Sequence, residues 1–113
     1  MKILITVREN MVAPRFDLAT EVLIVTIENG RPAGEPRFIL LPRASGEELC
    51  GMIVKEDVSI VLCGGLEETH YQYLMWKKIK VLDGIVGPYE EALECFLAGR
   101  LAARTILPGI LAT

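Results

Sequence analysis

The chain reads as an α/β protein: a five-stranded mixed sheet and three helices in three layers. Three observations carry this. The first is Val58-Ser59-Ile60-Val61-Leu62, uncharged between Asp57 and Cys63. That run has the length of a strand buried on both faces, as in a parallel sheet covered by helices. The second is its sequel, Cys63-Gly64-Gly65, after which Glu67 and Glu68 open a helical pattern. Strand, glycine turn and helix make a βα unit, whose loop lies where open α/β sheets place their ligands. The third is the order of patterned segments, β-β-β-α-β-α-β-α, which predicts one mixed sheet.

Residues 2–7 are a β-branched-rich run and the first strand, ended by Arg8-Glu9-Asn10. Residues 10–19, with Pro14, Arg15, Phe16 and Asp17, read as an ordered loop. Residues 21–28 are the second strand, and Asn29-Gly30 is a strong hairpin signal. The third strand is expected within residues 35–41, at the sheet edge, because Pro32 and Pro36 cannot donate ladder hydrogen bonds. Ser45-Gly46-Glu47-Glu48 reads as a capping box, with Ser45 capping the helix and Glu48 reaching back. Leu49, Met52 and Ile53 then give a helix running to about residue 56.

After the 58–62 strand, the second helix spans about 67–77 with Tyr71, Leu74 and Met75 buried. Residues 79–82 are the last strand, and 83–87 a loop. Pro88 suits the first turn of the third helix, whose apolar stripe is Ala92, Leu93, Phe96 and Leu97. Gly99 ends that helix, or it continues through residues 101–103. Pro108-Gly109 ends regular structure, and the last residues are expected to fray. Right-handed crossovers set the first strand beside the fourth. Three loops then meet at one end of the sheet: residues 8–17, 63–66 and 83–87.

Composition narrows the function. At 113 residues the expectation is one domain over 1–113 with its own core. Hydrophobic residues are 51% and charged residues 24%, which argues against disorder. No apolar run reaches membrane-span length, and residues 1–5 do not read as a signal peptide. A net charge of −3 argues against nucleic acid as a partner, since phosphate binding draws on clustered Lys and Arg. Three cysteines without paired spacing suit free thiols in a reducing cytoplasm.

The candidate site residues each have two readings. Cys63, at the end of a central strand, is a thiolate ligand to a soft metal or a small buried hydrophobe. As a ligand it would face the pocket, with its pKa lowered by the amides of the following helix. Gly64 and Gly65 let a ligand approach the backbone, or let strand pack closely on helix. Arg8 and Arg15 hold an anionic cluster or serve the surface. Cys50 and Cys95 read as core or boundary residues, His70 as solvated helix surface, and Trp76 as an exposed protein contact.

Four features stand in order: the short opening strand, the Phe16-centred loop before the hairpin, the strand ending Cys63-Gly64-Gly65, and the 84–87 loop before Glu90-Glu91-Ala92-Leu93. As an ordered set over roughly residues 1–100, they resemble the dinitrogenase iron–molybdenum cofactor biosynthesis family, which includes NifX and the carboxyl-terminal part of NifB. The resemblance implies a ribonuclease H-like topology. It also implies non-catalytic binding or delivery of an iron–sulfur or molybdenum-containing cluster, with a cluster donor or acceptor protein as partner. The chain departs from the family pattern at Arg15, where the family has His, and at Asp17, where it has Gly. Residues 41–46 lack the family's His.

Three function classes follow. One is the cluster carrier, with Cys63, Gly64, Gly65, Arg8 and Arg15 as its site and a homodimer as a source of further ligands. Another is a metal-free scaffold or oligomerisation module of the same fold. The third, an enzyme, is disfavoured: residues 2–7 carry no carboxylate for a Mg²⁺-dependent nuclease, and no nucleophile elbow or Walker loop is present.

Overall fold

Residues 3–7 are all buried because β1 (Lys2–Arg8) lies in the middle of the sheet, with hydrophobic layers on both faces. The computed structural model describes residues 1–110. β1 turns tightly at Glu9–Asn10 into a two-residue strand, β2 (Met11–Val12). The longer strands β3 (Glu21–Glu28) and β4 (Arg31–Leu40) form the hairpin that Asn29-Gly30 signals. Asn29 and Gly30 both have positive φ, 53° and 75°, the combination that suits the right-handed strand twist.

α1 (Gly46–Lys55), β5 (Ile60–Leu62), α2 (Glu68–Trp76), β6 (Lys80–Leu82) and α3 (Tyr89–Leu97) complete the chain. Strand order is β4-β3-β1-β5-β6, with β2 paired to β1 off that path. β1 runs antiparallel to β3 and parallel to β5, and β5 is parallel to β6. The expected mixed sheet and the neighbourhood of the first and fourth strands are therefore present, with β2 as a sixth strand.

The sheet separates two apolar layers. On one face Leu4, Phe16, Val61 and Cys63 pack with Leu49 and Ile53 of α1 and Leu74 of α2. On the other, Ile3, Ile5, Leu62 and Ile85 pack with Ala92 of α3 and with Leu107. The chain leaves β5 toward the first face and β6 toward the second. This parting opens a crevice beyond the strands' carboxyl ends.

Several local expectations are corrected. The 10–19 loop contains β2 and a 3-10 turn at Phe16–Leu18. Glu-Asn is a weak hairpin signal, and Glu9 reaches the required turn by adopting a φ of 57°. β4 begins earlier than expected, at Arg31. Pro32 and Pro36 are accommodated because β4 is an edge strand, and the pairing with β3 shifts register between Ile24 and Thr26. Ser45 does cap α1, accepting from the Glu48 N–H at 3.2 Å. The Glu48 carboxylate does not reach back. It takes both Nε and Nη2 of Arg43, a charge-assisted pair that a backbone amide does not match.

Met75 is exposed rather than buried, because α2 rests on the sheet chiefly through Leu74. Gly99, with a φ of 74°, ends α3. Residues 108–110 form a short 3-10 turn, so Pro108-Gly109 does not end regular structure. The expected fraying concerns residues 111–113, which lie outside the described residues.

Candidate functional site

The three loops expected to meet do so, and backbone hydrogen bonds knit them together. Gly65 N–H donates to Pro14 C=O at 2.7 Å, and Phe16 N–H returns the bond to Gly65 C=O at 2.9 Å. Gly84 N–H reaches Gly64 C=O at 2.8 Å, and Val12 N–H reaches Gly87 C=O at 2.9 Å. Each loop is thus held by another, and the mouth between them has a fixed shape.

That mouth is a cleft of about 400 Å³, bounded by Arg8, Glu9, Met11 and Pro14 on one side and by Gly64, Gly65, Gly84 and Gly87 on the others. Val12, Ile85 and Val86 add apolar side chains to the glycine backbone of its wall. The N–H groups of Gly64 and Gly87 donate to no backbone acceptor among the described residues. Arg8 brings a cation to the rim, and Glu9 is the one carboxylate in the lining.

Two of the glycines are dictated by close approach. A Cβ on Gly64 would lie 2.5 Å from the Pro14 carbonyl oxygen, with the Ala13 carbonyl oxygen nearer still. Gly87 has a φ of 137°, and its Cβ would lie 2.7 Å from Cβ of Leu107. Tight packing of loop on strand end therefore suffices to explain both.

Gly64 and Gly65 line the cleft, and Arg8 stands at its edge. Arg15 lies outside it. Arg15 flanks the adjacent depression that it shares with Arg8, and its guanidinium holds Asp17 at 2.7 Å and 3.1 Å.

Cys63 lies beneath the cleft, not on its wall. It is 0% exposed and packs with Ala13, Phe16 and Cys50 in the layer under α1. The expected depression of its pKa is corrected. Burial pushes the Cys63 thiol up, and the carboxylate of Asp83 and the Cys50 thiol push in the same direction. The thiol sits below the floor, where desolvation outweighs any pull from the α2 amides. Cys50 is also buried, its thiol pushed up to about 11 by burial and then by Glu47. Cys95 is half-buried on α3.

Two further residues of this region are not assigned to it by the sequence. Thr6 is one register step past the Ile5↔Leu62 pair, next to Cys63, and its hydroxyl is buried with no hydrogen-bond partner among the described residues. A threonine inside a β-branched strand looks like any other β former. His70 is not a solvated surface residue. Its ring packs 5.9 Å from that of Phe16 and fills the space a Cβ on Gly46 would need. Gly46 in the first turn of α1 was the available hint.

The thiol environments give an expected result. In the folded protein Cys95 reacts first with a thiol-specific reagent and Cys63 last, whereas all three react alike in denaturant. Both buried thiols have raised folded pKa values. Their stabilising contribution is complete below the unfolded thiol value of about 8.5 and declines above it, as the unfolded chain alone loses protons. The stability difference between wild type and Cys63→Ala should shrink as pH rises through that range, in urea titrations. A difference that grows with pH would contradict the buried, protonated thiol.

Comparison with known proteins bears on what such a cleft serves. The family model described as dinitrogenase iron-molybdenum cofactor matches residues 1–99. No curated protein matches the chain. Among solved structures, a protein designated PH0822 is similar with a TM-score of 0.82 and 21% identity, over 91% of this chain and 94% of its own. A candidate dinitrogenase of Methanocaldococcus jannaschii has a TM-score of 0.74 and 24% identity, over 90% and 92% of the two chains. A candidate NifB protein from Thermotoga has a TM-score of 0.71 and 21% identity, over 94% and 96%. At these identities the structural likenesses show the fold alone.

Proposed function

Because the chain belongs to the dinitrogenase iron–molybdenum cofactor family, we propose that it binds an anionic iron–sulfur or molybdenum-containing cluster as cargo and delivers it to a partner protein, without catalysis. The observation that carries this reading is the lining of the cleft: glycine backbone from two loops, amides at Gly64 and Gly87 that meet no backbone acceptor among the described residues, and Arg8 at the rim. Free N–H groups and a guanidinium suit a cargo whose surface is made of sulfide or oxo acceptors. Among the described residues, no group of three or more His, Cys, Asp or Glu gathers to hold a metal. The cargo is therefore held from outside by donors and charge, not by a ring of side-chain ligands.

In this reading Gly64, Gly65 and Arg8 contact the cargo directly. Arg15 adds field from the neighbouring depression, discounted by its pairing with Asp17. Cys63 coordinates metal only if the floor at Gly64 lifts. The strand order β4-β3-β1-β5-β6 supports the ribonuclease H-like topology that the resemblance implies. The lack of a carboxylate on β1 supports the non-catalytic assignment. The three free thiols suit a reducing cytoplasm. A second reading, a metal-free scaffold or oligomerisation module, draws on the same scarcity of gathered ligands.

Anaerobic reconstitution with iron and sulfide, followed by metal and sulfide assay, separates these readings. Wild type should retain cluster through gel filtration. Arg8→Glu should lose most of it, and Cys63→Ser should keep it to within about twofold, as a buried thiol outside the contact set requires. If Cys63→Ser abolishes uptake while Arg8→Glu does not, the thiol is the ligand and the cleft lining is not the holding surface. If wild type takes up nothing, the scaffold reading stands.

A further inference from the structure

The outer face of α2 and the edge of β6 carry a surface that the cleft does not use. Trp76 is 73% exposed, Met75 is 46% exposed, and Tyr73 is also exposed. Three lysines, Lys77, Lys78 and Lys80, follow within four residues of Trp76, and none of them is in an ion pair among the described residues. Lys77 Nζ lies 4.7 Å from the Trp76 ring and 5.7 Å from that of Tyr73, so its charge stands over exposed aromatic surface.

This concentration runs against the chain as a whole. Residues 69–82 contain three lysines and no carboxylate, while the other 9 basic residues of 12 are outnumbered by all 15 acidic ones. Glu56, on the loop before β5, is held by Arg37 at 3.1 Å.

The shape of the surface says what fits it. A groove of about 430 Å³ runs between α2 and β6, with Met75, Ile79 and Val81 as its apolar floor and Lys78 and Lys80 on its sides. β6 ends the sheet, and only β5 pairs with it among the described residues. Lys80 N–H and Leu82 C=O both point to β5, bonding Ser59 and Cys63 at 3.0 Å and 3.1 Å. By strand alternation the N–H and C=O of Val81 face outward, as a free edge.

We propose that this edge docks an extended acidic segment of a partner protein, with one apolar side chain seated over Met75, Ile79 and Val81. Its carboxylates lie on the three lysines, its main chain pairs with Val81, and Trp76 closes over it. Strand addition at an edge supplies affinity through backbone bonds, and pockets for alternate side chains supply choice. A lipid surface would meet the lysines and Trp76, but it offers no main chain to Val81 and no single anchor for a groove. Lys80 opens β6 at the end of the sheet opposite the cleft, so a partner docked here leaves the cleft mouth free. The inference does not depend on what the cleft holds.

Trp76 is the sole tryptophan and reports on the surface directly. The probe is a synthetic peptide of Asp and Glu around a single Leu, titrated to millimolar concentration against Trp76 emission. A saturable blue shift is expected, with affinity falling about tenfold as salt is raised from low to physiological strength. The triple variant Lys77→Glu, Lys78→Glu, Lys80→Glu, checked for folding by circular dichroism, should bind at least about tenfold more weakly. The same peptide N-methylated at alternate residues should lose binding by a similar factor, since it cannot pair with Val81. The proposal is overturned by unchanged emission with the acidic peptide, by equal binding to the triple variant, or by equal binding of the methylated peptide. A shift with phosphatidylglycerol vesicles and none with the peptide also overturns it, in favour of a membrane surface.

Discussion

Phe16→Ala is expected to destabilise the protein by about 3–5 kcal/mol. Phe16 is among the largest fully buried side chains, yet it lies in a loop, in the 3-10 turn Phe16–Leu18. Its ring packs with Leu49, Ile53, Cys63 and Leu74 in the layer under α1 and α2. Its N–H holds Gly65 C=O at 2.9 Å. Truncation leaves a cavity bounded by two helices and a strand end, which cannot all collapse into it. The loop that forms one wall of the cleft is anchored by the same ring, so stability and site shape fall together. Urea denaturation checks the magnitude. Phe38→Ala is the internal comparison: Phe38 is 53% exposed on the edge strand and should cost less than about 1 kcal/mol. Equal losses for the two would contradict the assignment of Phe16 as the loop's anchor.

Gly64→Val is expected to cost about 1–3 kcal/mol, as overpacking of a close-packed site does. It should also remove cargo binding. The Cβ would meet the carbonyl oxygens of Ala13 and Pro14, which are backbone atoms that cannot swing aside. The whole 13–16 segment must shift, and with it the Gly65–Pro14 and Phe16–Gly65 bonds that fix the cleft. Gly51→Ala provides the contrast. Gly51 is exposed in α1 with nothing within 4 Å of a Cβ, so alanine there should stabilise by up to about 1 kcal/mol. Urea midpoints of the two variants should move in opposite directions.

Much of this architecture is legible in the chain because period and punctuation agree. Asn29-Gly30 marks the hairpin, Ser45 the start of α1, and the uncharged 58–62 run a buried strand. The meeting of the three loops followed from strand order alone. What escaped was set by tertiary contact. The hairpin into β2 rests on Glu9 in a left-handed turn, a conformation that the letter Glu does not suggest. His70 is placed by the absence of a side chain at Gly46, far away in sequence. Cys63 illustrates the harder limit. Its position at a strand end is readable, but whether a strand-end side chain faces the mouth or the layer beneath is decided by one step of register. Here that step turns it to the Leu4–Val61 face, under α1. Trp76 is exposed as its place beside the buried face of α2 suggests, whereas the groove next to it depends on β6 being the sheet's last strand.

The central claim, that the cleft lining holds an anionic metal–sulfur cargo, is tested most directly by amide resonances of the isotopically labelled protein titrated anaerobically with tetrathiomolybdate. The predicted result is a saturable change concentrated at Arg8, Gly64, Gly65, Gly84 and Gly87, abolished in Arg8→Glu and retained in Cys63→Ser. Resonances left unmoved at saturating anion, or changes centred away from these five residues, would contradict it.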